Sequence, residues 1–240
     1  MTERRLEAAK VIKTLDLLHS RMGERFPGAG IVEVCADLAA TARTISGRAR
    51  RVARPFLGLR LLVLLVIAGA VGAQLWAASQ VDWRAFKVNT DFVALTQGTE
   101  SAVNLLILAG ASVWFLATVE TRVKRERSLK DLHELRSFAH VVDMHQLTKD
   151  PTVVLSKAPR TISSPTRQLT RFQLTRYLEY CAEMLALIGK LAALYAEHTR
   201  DPQVVAAVND IETLATDLGR KIWQKITILS ALEEDADAAG

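Results

Sequence analysis

Two stretches decide how this chain folds: Leu61-Leu-Val-Leu-Leu-Val-Ile-Ala-Gly-Ala-Val-Gly-Ala-Gln-Leu-Trp-Ala-Ala78 and Ala102-Val-Asn-Leu-Leu-Ile-Leu-Ala-Gly-Ala-Ser-Val-Trp-Phe-Leu-Ala-Thr-Val119. Neither contains a charged residue, and each is flanked by a basic cluster on one side only. Arg43, Arg48, Arg50, Arg51, Arg54 and Arg60 precede the first, and Arg122, Lys124, Arg125, Arg127 and Lys130 follow the second. The segment between them holds only Arg84 and Lys87, offset by Asp82, Asp91 and Glu100. Apolar runs of this length are long enough to cross a bilayer, and flanking Arg and Lys stay on the cytoplasmic side. The pattern predicts a multi-pass protein of the cell (inner) membrane, a two-helix transmembrane hairpin with N- and C-termini cytoplasmic.

Residues 57–79 form the first predicted span, about 30 Å at 1.5 Å per residue. Arg60 can snorkel to the inner headgroups, while Trp76 and Trp83 suit the outer interface. The connection 80–100 is too short for a folded extracytoplasmic domain. Its part 86–95 either lies on the outer surface or extends the second helix outward. Residues 101–119 form the second span and continue into 120–149 with no glycine or proline between. One long helix is therefore expected, with a seam at Leu132, Leu135, Ala139 and Val142 and an end near Lys149-Asp150-Pro151. Within the membrane, Gly69, Ala73 and Ala77 recur every four residues, a small-residue stripe that lets a second helix approach. Ala102 with Gly110, or Ala109 with Ala117, could face it, and Gln74 and Asn104 could bond across the hairpin for about 1 kcal/mol. A competing reading has these amides line an oligomeric pore. Steps from Asn104 give Leu108, Ala111, Phe115 and Thr118, which is no hydrophilic stripe, so such a pore would close by a hydrophobic constriction.

Outside the two runs the chain is charged and rich in helix formers, and only 6% of its residues are aromatic, which favours an all-α fold. Residues 1–50 read as a helical hairpin: Ala8, Val11, Ile12, Leu15, Leu18 and Met22 make one stripe, Phe26-Pro27-Gly28-Ala29-Gly30 is a turn, and Ile31, Val34, Cys35, Leu38, Ala42 and Ile45 make the second. A loop at 150–168 follows the long helix. Residues 169–232 form a second hairpin, opened by the capping box Thr170-Arg-Phe-Gln173 and re-started by Asp201-Pro202, an N-cap followed by an N1 proline. The two hairpins are expected to pack into one cytoplasmic helical bundle, leaving 233–240 as a frayed acidic tail. Cys35 and Cys181 fall on apolar faces and read as small core residues in a reducing compartment.

The net charge of +5 could suggest nucleic acid, but much of the excess lies beside the apolar runs. There Arg50, Arg51, Arg54, Arg60, Arg122, Lys124, Arg125 and Arg127 would set topology and meet anionic lipid headgroups, at about 1 kcal/mol each. No aromatics are interleaved to stack bases, so nucleic acid is not an expected partner. The densest reactive group is His133, His140, Asp143, Met144 and His145. His140 and Asp143 share a helix face, but a metal would need further ligands from another helix, such as Glu179 or Glu183. The plainer reading has them hydrogen-bonded or solvated. No local signature of a hydrolase, metalloprotease, redox pair or phosphate loop occurs. No catalytic, metal or cofactor-binding residue is assigned, and no cofactor is expected.

The segment Phe138-Ala-His-Val-Val-Asp-Met-His-Gln-Leu-Thr-Lys-Asp-Pro151, with Arg25-Phe-Pro-Gly28 upstream, resembles uncharacterised bacterial inner-membrane proteins with two transmembrane helices and a cytoplasmic helical domain. The resemblance implies that plan and carries no activity and no functional residue. The architecture is also similar to small bacterial membrane effectors that oligomerise into pores. The expected function is a membrane-anchored helical interaction or scaffold protein, without catalysis, self-associating as a homo-oligomer through the stalk and the small-residue face, with a cytoplasmic protein as a further partner. The alternative is an oligomeric ion channel or membrane-permeabilising effector.

Overall fold

The structure, a computed structural model, describes residues 6–52, 56–80, 92–151, 162, 169–197 and 199–238. Among them there is no strand, and six helices follow in order: α1 Ala8–Arg25, α2 Gly30–Val52, α3 Leu57–Ser79, α4 Phe92–Leu147, α5 Arg171–Ala196 and α6 Pro202–Ala238. The chain divides into two compact units, Met1–Ala53 with Arg125–Gly240, and Arg54–Lys124. Most of the expected connection at 81–91, most of the loop at 152–168, and Arg54 lie outside the described residues, as do the side chains of Arg50, Arg51 and Ala77.

The first unit is a helical bundle with its own core. The apolar stripe of α1 buries Val11, Leu15, Leu18 and Met22. The Phe26 N–H closes the helix on the Met22 carbonyl at 2.8 Å. Gly28 then takes φ +76°, a left-handed conformation that glycine adopts without Cβ strain. This turn reverses the chain into α2, whose Ile31, Cys35, Leu38, Ala42 and Ile45 are buried. Phe26 also packs edge-on against Tyr177 and Tyr180 of α5, with ring centroids at 5.6 and 6.2 Å.

Helix α5 is buried on nearly every side, as expected of a central helix; between Cys181 and Tyr195 only Ala186 and Lys190 are exposed. Its start is the capping box read from the sequence: Thr170 Oγ1 accepts from the Gln173 N–H, and Gln173 Oε1 accepts from the Thr170 N–H. At the start of α6, Asp201 Oδ1 accepts from the backbone N–H groups of Gln203 and Val204. Helix α6 buries Val204, Val208, Ile211, Leu218 and Ile222. Its helix runs to Ala238, beyond the boundary expected at 232, because Glu233–Ala238 holds only residues compatible with a helix interior.

The α4 seam Leu132, Leu135, Ala139 and Val142 is fully buried within this unit. The surface expected to self-associate along the stalk is therefore taken up by the chain's own core. The helix ends at Leu147, a few residues before Pro151.

The second unit holds α3 and the part of α4 up to Lys124. Its large apolar side chains point outward: Trp76 is 67% exposed, Leu106 73% and Trp114 72%. One stripe on each helix is half-buried, Val63, Ile67, Ala70 and Gln74 on α3 and Ala102, Leu105, Ala109, Ser112 and Leu116 on α4. Both follow the alternating 3- and 4-residue spacing of a helix-packing seam. Among the described residues one helix, from Thr96 to Leu147, is long and apolar enough to cross a membrane, and the described apolar run of α3, Arg60–Trp76, is shorter.

Candidate functional site

The residues singled out for the membrane faces are dispersed around α3 and α4. Gln74 lies on the half-buried stripe of α3, whereas Gly69, Ala73, Asn104 and Gly110 are exposed. A Cβ added at Gly69, Gly72 or Gly110 would meet no atom within 4 Å. The small residues therefore leave an open surface rather than a close approach within this unit.

The basic flanks are more structured than a lipid-facing cluster. In the second unit, Glu120 is the centre of a clamp. It accepts from Lys124 Nζ at 2.7 Å, lies 3.9 Å from Arg60 Nε, and takes the Phe56 backbone N–H at 3.3 Å. Lys124 Nζ also stands 5.4 Å from the Phe56 ring centre, within range of a cation–π attraction. Glu120 thus ties the beginning of α3 to α4. Arg122 is exposed.

In the first unit, three more flank cations are paired. Arg43 donates to Asp16, linking α2 to α1. Arg125 donates to Asp201 at 2.7 Å, linking α4 to the start of α6. Burial works to raise the Asp201 pKa, but the Arg125 hydrogen bond and the two capping N–H groups outweigh it and hold the carboxyl below its ordinary value. Arg127 is exposed and has a partner of its own.

The third pair holds the least exposed carboxylate of the ion pairs described. Asp131 of α4 has a side chain only 5% exposed. Its Oδ1 accepts from Arg48 of α2 at 2.7 Å, and its Oδ2 accepts from the Tyr195 hydroxyl of α5 at 2.6 Å. Three helices meet on one carboxylate. Burial, reinforced by the bond to Asp131, pushes the Tyr195 phenol well above its ordinary range, and the same carboxylate raises the Arg48 pKa. Both donors stay protonated at any physiological pH, so the group is a lock rather than a proton shuttle. In the sequence Tyr195 falls on an apolar helical stripe with Leu174, Leu178, Cys181, Leu185, Ile188 and Ala192, and nothing there singles out Asp131. The available signal was an aspartate in a register beside the buried seam residue Leu132.

The stalk histidines do not converge. His133 and His140 are exposed. Asp143 accepts from the Gln146 side-chain amide, and Gln146 in turn accepts from Lys225 of α6 through its backbone and side-chain oxygens. The His145 ring lies against the start of α2, where a Cβ on Gly30 would come within 3.1 Å of its Cε1. Glu179 and Glu183, the carboxylates that could have completed a metal site, are paired with Arg176 and Arg21. No cluster of three or more metal-ligating side chains occurs among the described residues.

Both cysteines are free and buried. Burial, with the Asp16 and Glu183 carboxylates adding to it, pushes the Cys35 thiol up to about 12. Burial raises Cys181 to about 12 as well, against the opposing effect of Lys225 and Lys149. Neither is a thiolate near neutral pH, so neither is poised as a nucleophile or a soft-metal ligand. What these arrangements do is join helices: Glu120 in one unit, and Asp131, Asp201 and Gln146 in the other. No family model, curated protein or solved structure matches this chain.

Proposed function

We propose that the chain is a bacterial inner-membrane scaffold protein. In this reading, residues 57–79 and 101–119 cross the bilayer as a hairpin, both termini are cytoplasmic, and the helical bundle is presented to other proteins at the membrane surface. The protein self-associates, and it performs no catalysis.

The observation that carries the reading is the contrast between the two units. One buries a continuous apolar core, whereas the other turns leucines, tryptophans and Phe115 outward along both helices. Contiguous exposed apolar surface beyond a few hundred Å² is unusual for a soluble monomer and ordinary for a helix in lipid. The Arg and Lys clusters on one side of each apolar run support the orientation, because the positive-inside bias counts basic residues near the ends of a span.

Two measurements test it. The protein should stay with bacterial membranes through alkaline carbonate washing. A fluorescent-protein fusion at the C-terminus should light up while an alkaline-phosphatase fusion there is silent, and phosphatase inserted within 81–91 should be active. Release into the soluble fraction, or an active phosphatase at the C-terminus, would overturn the proposal.

A further inference from the structure

One solvent-facing strip near the middle of α5 carries small side chains. Ala182 is half-buried, Ala186 is exposed, and Gly189 lies below them. Beside this strip, α6 turns out Glu212, Thr216, Arg220 and Trp223, spaced 4, 4 and 3 residues apart and hence on one face. Together the two helices form a groove of about 500 Å³. Trp223 stands at its edge, 56% exposed, although tryptophan is the residue type most strongly associated with the energetic centre of protein interfaces. Gly219, also in the lining, would meet no atom within 4 Å if it carried a Cβ. The groove is therefore shallow enough along α6 for another helix to lie close.

The charges of this face identify its occupant. Glu212 and Arg220 are placed symmetrically about Thr216. A two-fold axis through Thr216 and perpendicular to α6 would lay a second α6 antiparallel on the first. Glu212 of each copy would then face Arg220 of the other, and each Trp223 would cover the turn around Asn209 of the opposite helix. A surface that complements its own copy under a two-fold axis is the signature of an isologous interface. Arg220 is not withdrawn from this role by its same-helix pair with Asp217, which is 3.2 Å long and exposed on both sides and so contributes little. Glu212 and Lys190 have no ion pair among the described residues.

The geometry points to this groove as the homodimer contact of the protein, with α6 of a second copy as its occupant. The inference rests on the self-association proposed above and places it on the bundle.

Full-length protein in mild detergent and in native membranes provides the test. Thr216→Cys should form a covalent dimer on mild oxidation, whereas Lys221→Cys, about 140° further round the helix, should not. The native Cys35 and Cys181 are buried and stay silent, and their continued protection from thiol reagents shows that each variant is folded. Glu212→Arg and Arg220→Glu should each raise the dimer dissociation constant about tenfold or more, because each places two like-charge contacts across the axis. Combining them should restore dimerisation, and Trp223→Ala should weaken it. If the single exchanges and Trp223→Ala leave the dimer intact and Thr216→Cys does not cross-link, this inference fails while self-association stands. If the unsubstituted protein is monomeric, both fall. If the double exchange fails to rescue, or if the groove is occupied by a different protein, the two-fold contact is refuted.

Discussion

Replacing Asp131 by alanine tests whether one buried carboxylate locks three helices of the bundle. The substitution removes the acceptor of two hydrogen bonds, from Arg48 and from the Tyr195 hydroxyl. The two donors are left in different positions. Arg48 is 47% exposed and can turn to water, so its loss is discounted for solvent screening. Tyr195 is fully buried and its hydroxyl is stranded, at about 1–3 kcal/mol. With the small void left by the side chain, the expected destabilisation is about 2–3 kcal/mol. Tyr195→Phe removes the donor instead and leaves the carboxylate with Arg48, at about 1–2 kcal/mol. The informative comparison is Tyr195→Phe in the Asp131→Ala background. There no hydroxyl needs a partner, so the second substitution should be neutral or stabilising. The assay is native to the molecule: Cys35 and Cys181 are fully buried and lie in the bundle, so their labelling by a thiol reagent reports its opening. A loss of 2–3 kcal/mol should speed labelling roughly 30- to 150-fold, at about 1.4 kcal/mol per factor of ten. If Tyr195→Phe costs the same in both backgrounds, the two side chains do not act through one bond and the reasoning fails.

The bundle should lose stability in alkali. Cys35 and Cys181 are raised from 9.0 to about 12, and Tyr177 and Tyr195 are raised from 10.0. All four hold their protons longer when folded, so their contribution is complete below about pH 9 and declines as pH rises toward 12, by up to about 1.4 kcal/mol per pH unit per group. Thermal unfolding followed by circular dichroism should therefore shift downward from pH 9 onward, and a flat profile to pH 11 would contradict the burial of these groups. Asp201→Ala should cost about 2 kcal/mol, from the lost N-cap and the lost pair with Arg125. Because the Asp201 pKa is depressed, its contribution is present above pH 3.8 and lost as pH falls below it, so the variant should also be less acid-sensitive when its unfolding is followed from about pH 4 down to about pH 2. Gly28→Ala should cost about 1 kcal/mol through backbone conformation alone, since φ is +76° and no atom lies within 4 Å of the added Cβ. Gly28→Asn should cost less in the same thiol-labelling assay, because asparagine tolerates the left-handed region.

What could be read from the sequence was local. The Thr170 capping box, the Asp201-Pro202 helix start and the turn at Gly28 each depend on residues within a few positions, and each is formed. The apolar stripes of α1 and α2 were legible for the same reason, since helical periodicity alone orients them. The pairs that hold the helices together were not legible. Asp131 finds partners 83 and 64 positions away, and its place beside the seam residue Leu132 is matched by Glu134 beside Leu135 and Asp143 beside Val142. On α3, the four-residue spacing of Gly69, Ala73 and Ala77 marks where a helix could approach. The half-buried stripe instead runs through Val63, Ile67, Ala70 and Gln74, about 100° round the helix. Small residues permit close contact, whereas valine and isoleucine fill more of the space between two helices and so make more van der Waals contacts.

The same distinction between local and distant partners bears on the basic flanks, which were read as topology signals and lipid contacts together. Those two roles act at different stages. Orientation is decided as the spans insert, when basic residues near their ends count and acidic ones contribute little. In the proposed topology Arg48, Arg60, Lys124 and Arg125 would all count as cations at that stage, whatever they later meet. Lipid attraction belongs to the folded protein, where Arg60 and Lys124 share Glu120, Arg48 holds Asp131 and Arg125 holds Asp201. A cation already neutralised by a nearby carboxylate contributes little of the roughly 1 kcal/mol that a basic residue gains beside anionic headgroups. In the proposed topology the flanks would therefore serve twice, first to orient the chain and then to fasten its helices, and their count would overstate the folded protein's hold on acidic lipid. Exchanging Glu120 for glutamine should separate the stages: the fusion-reporter topology should be unchanged, while Arg60 and Lys124 are released to anionic vesicles.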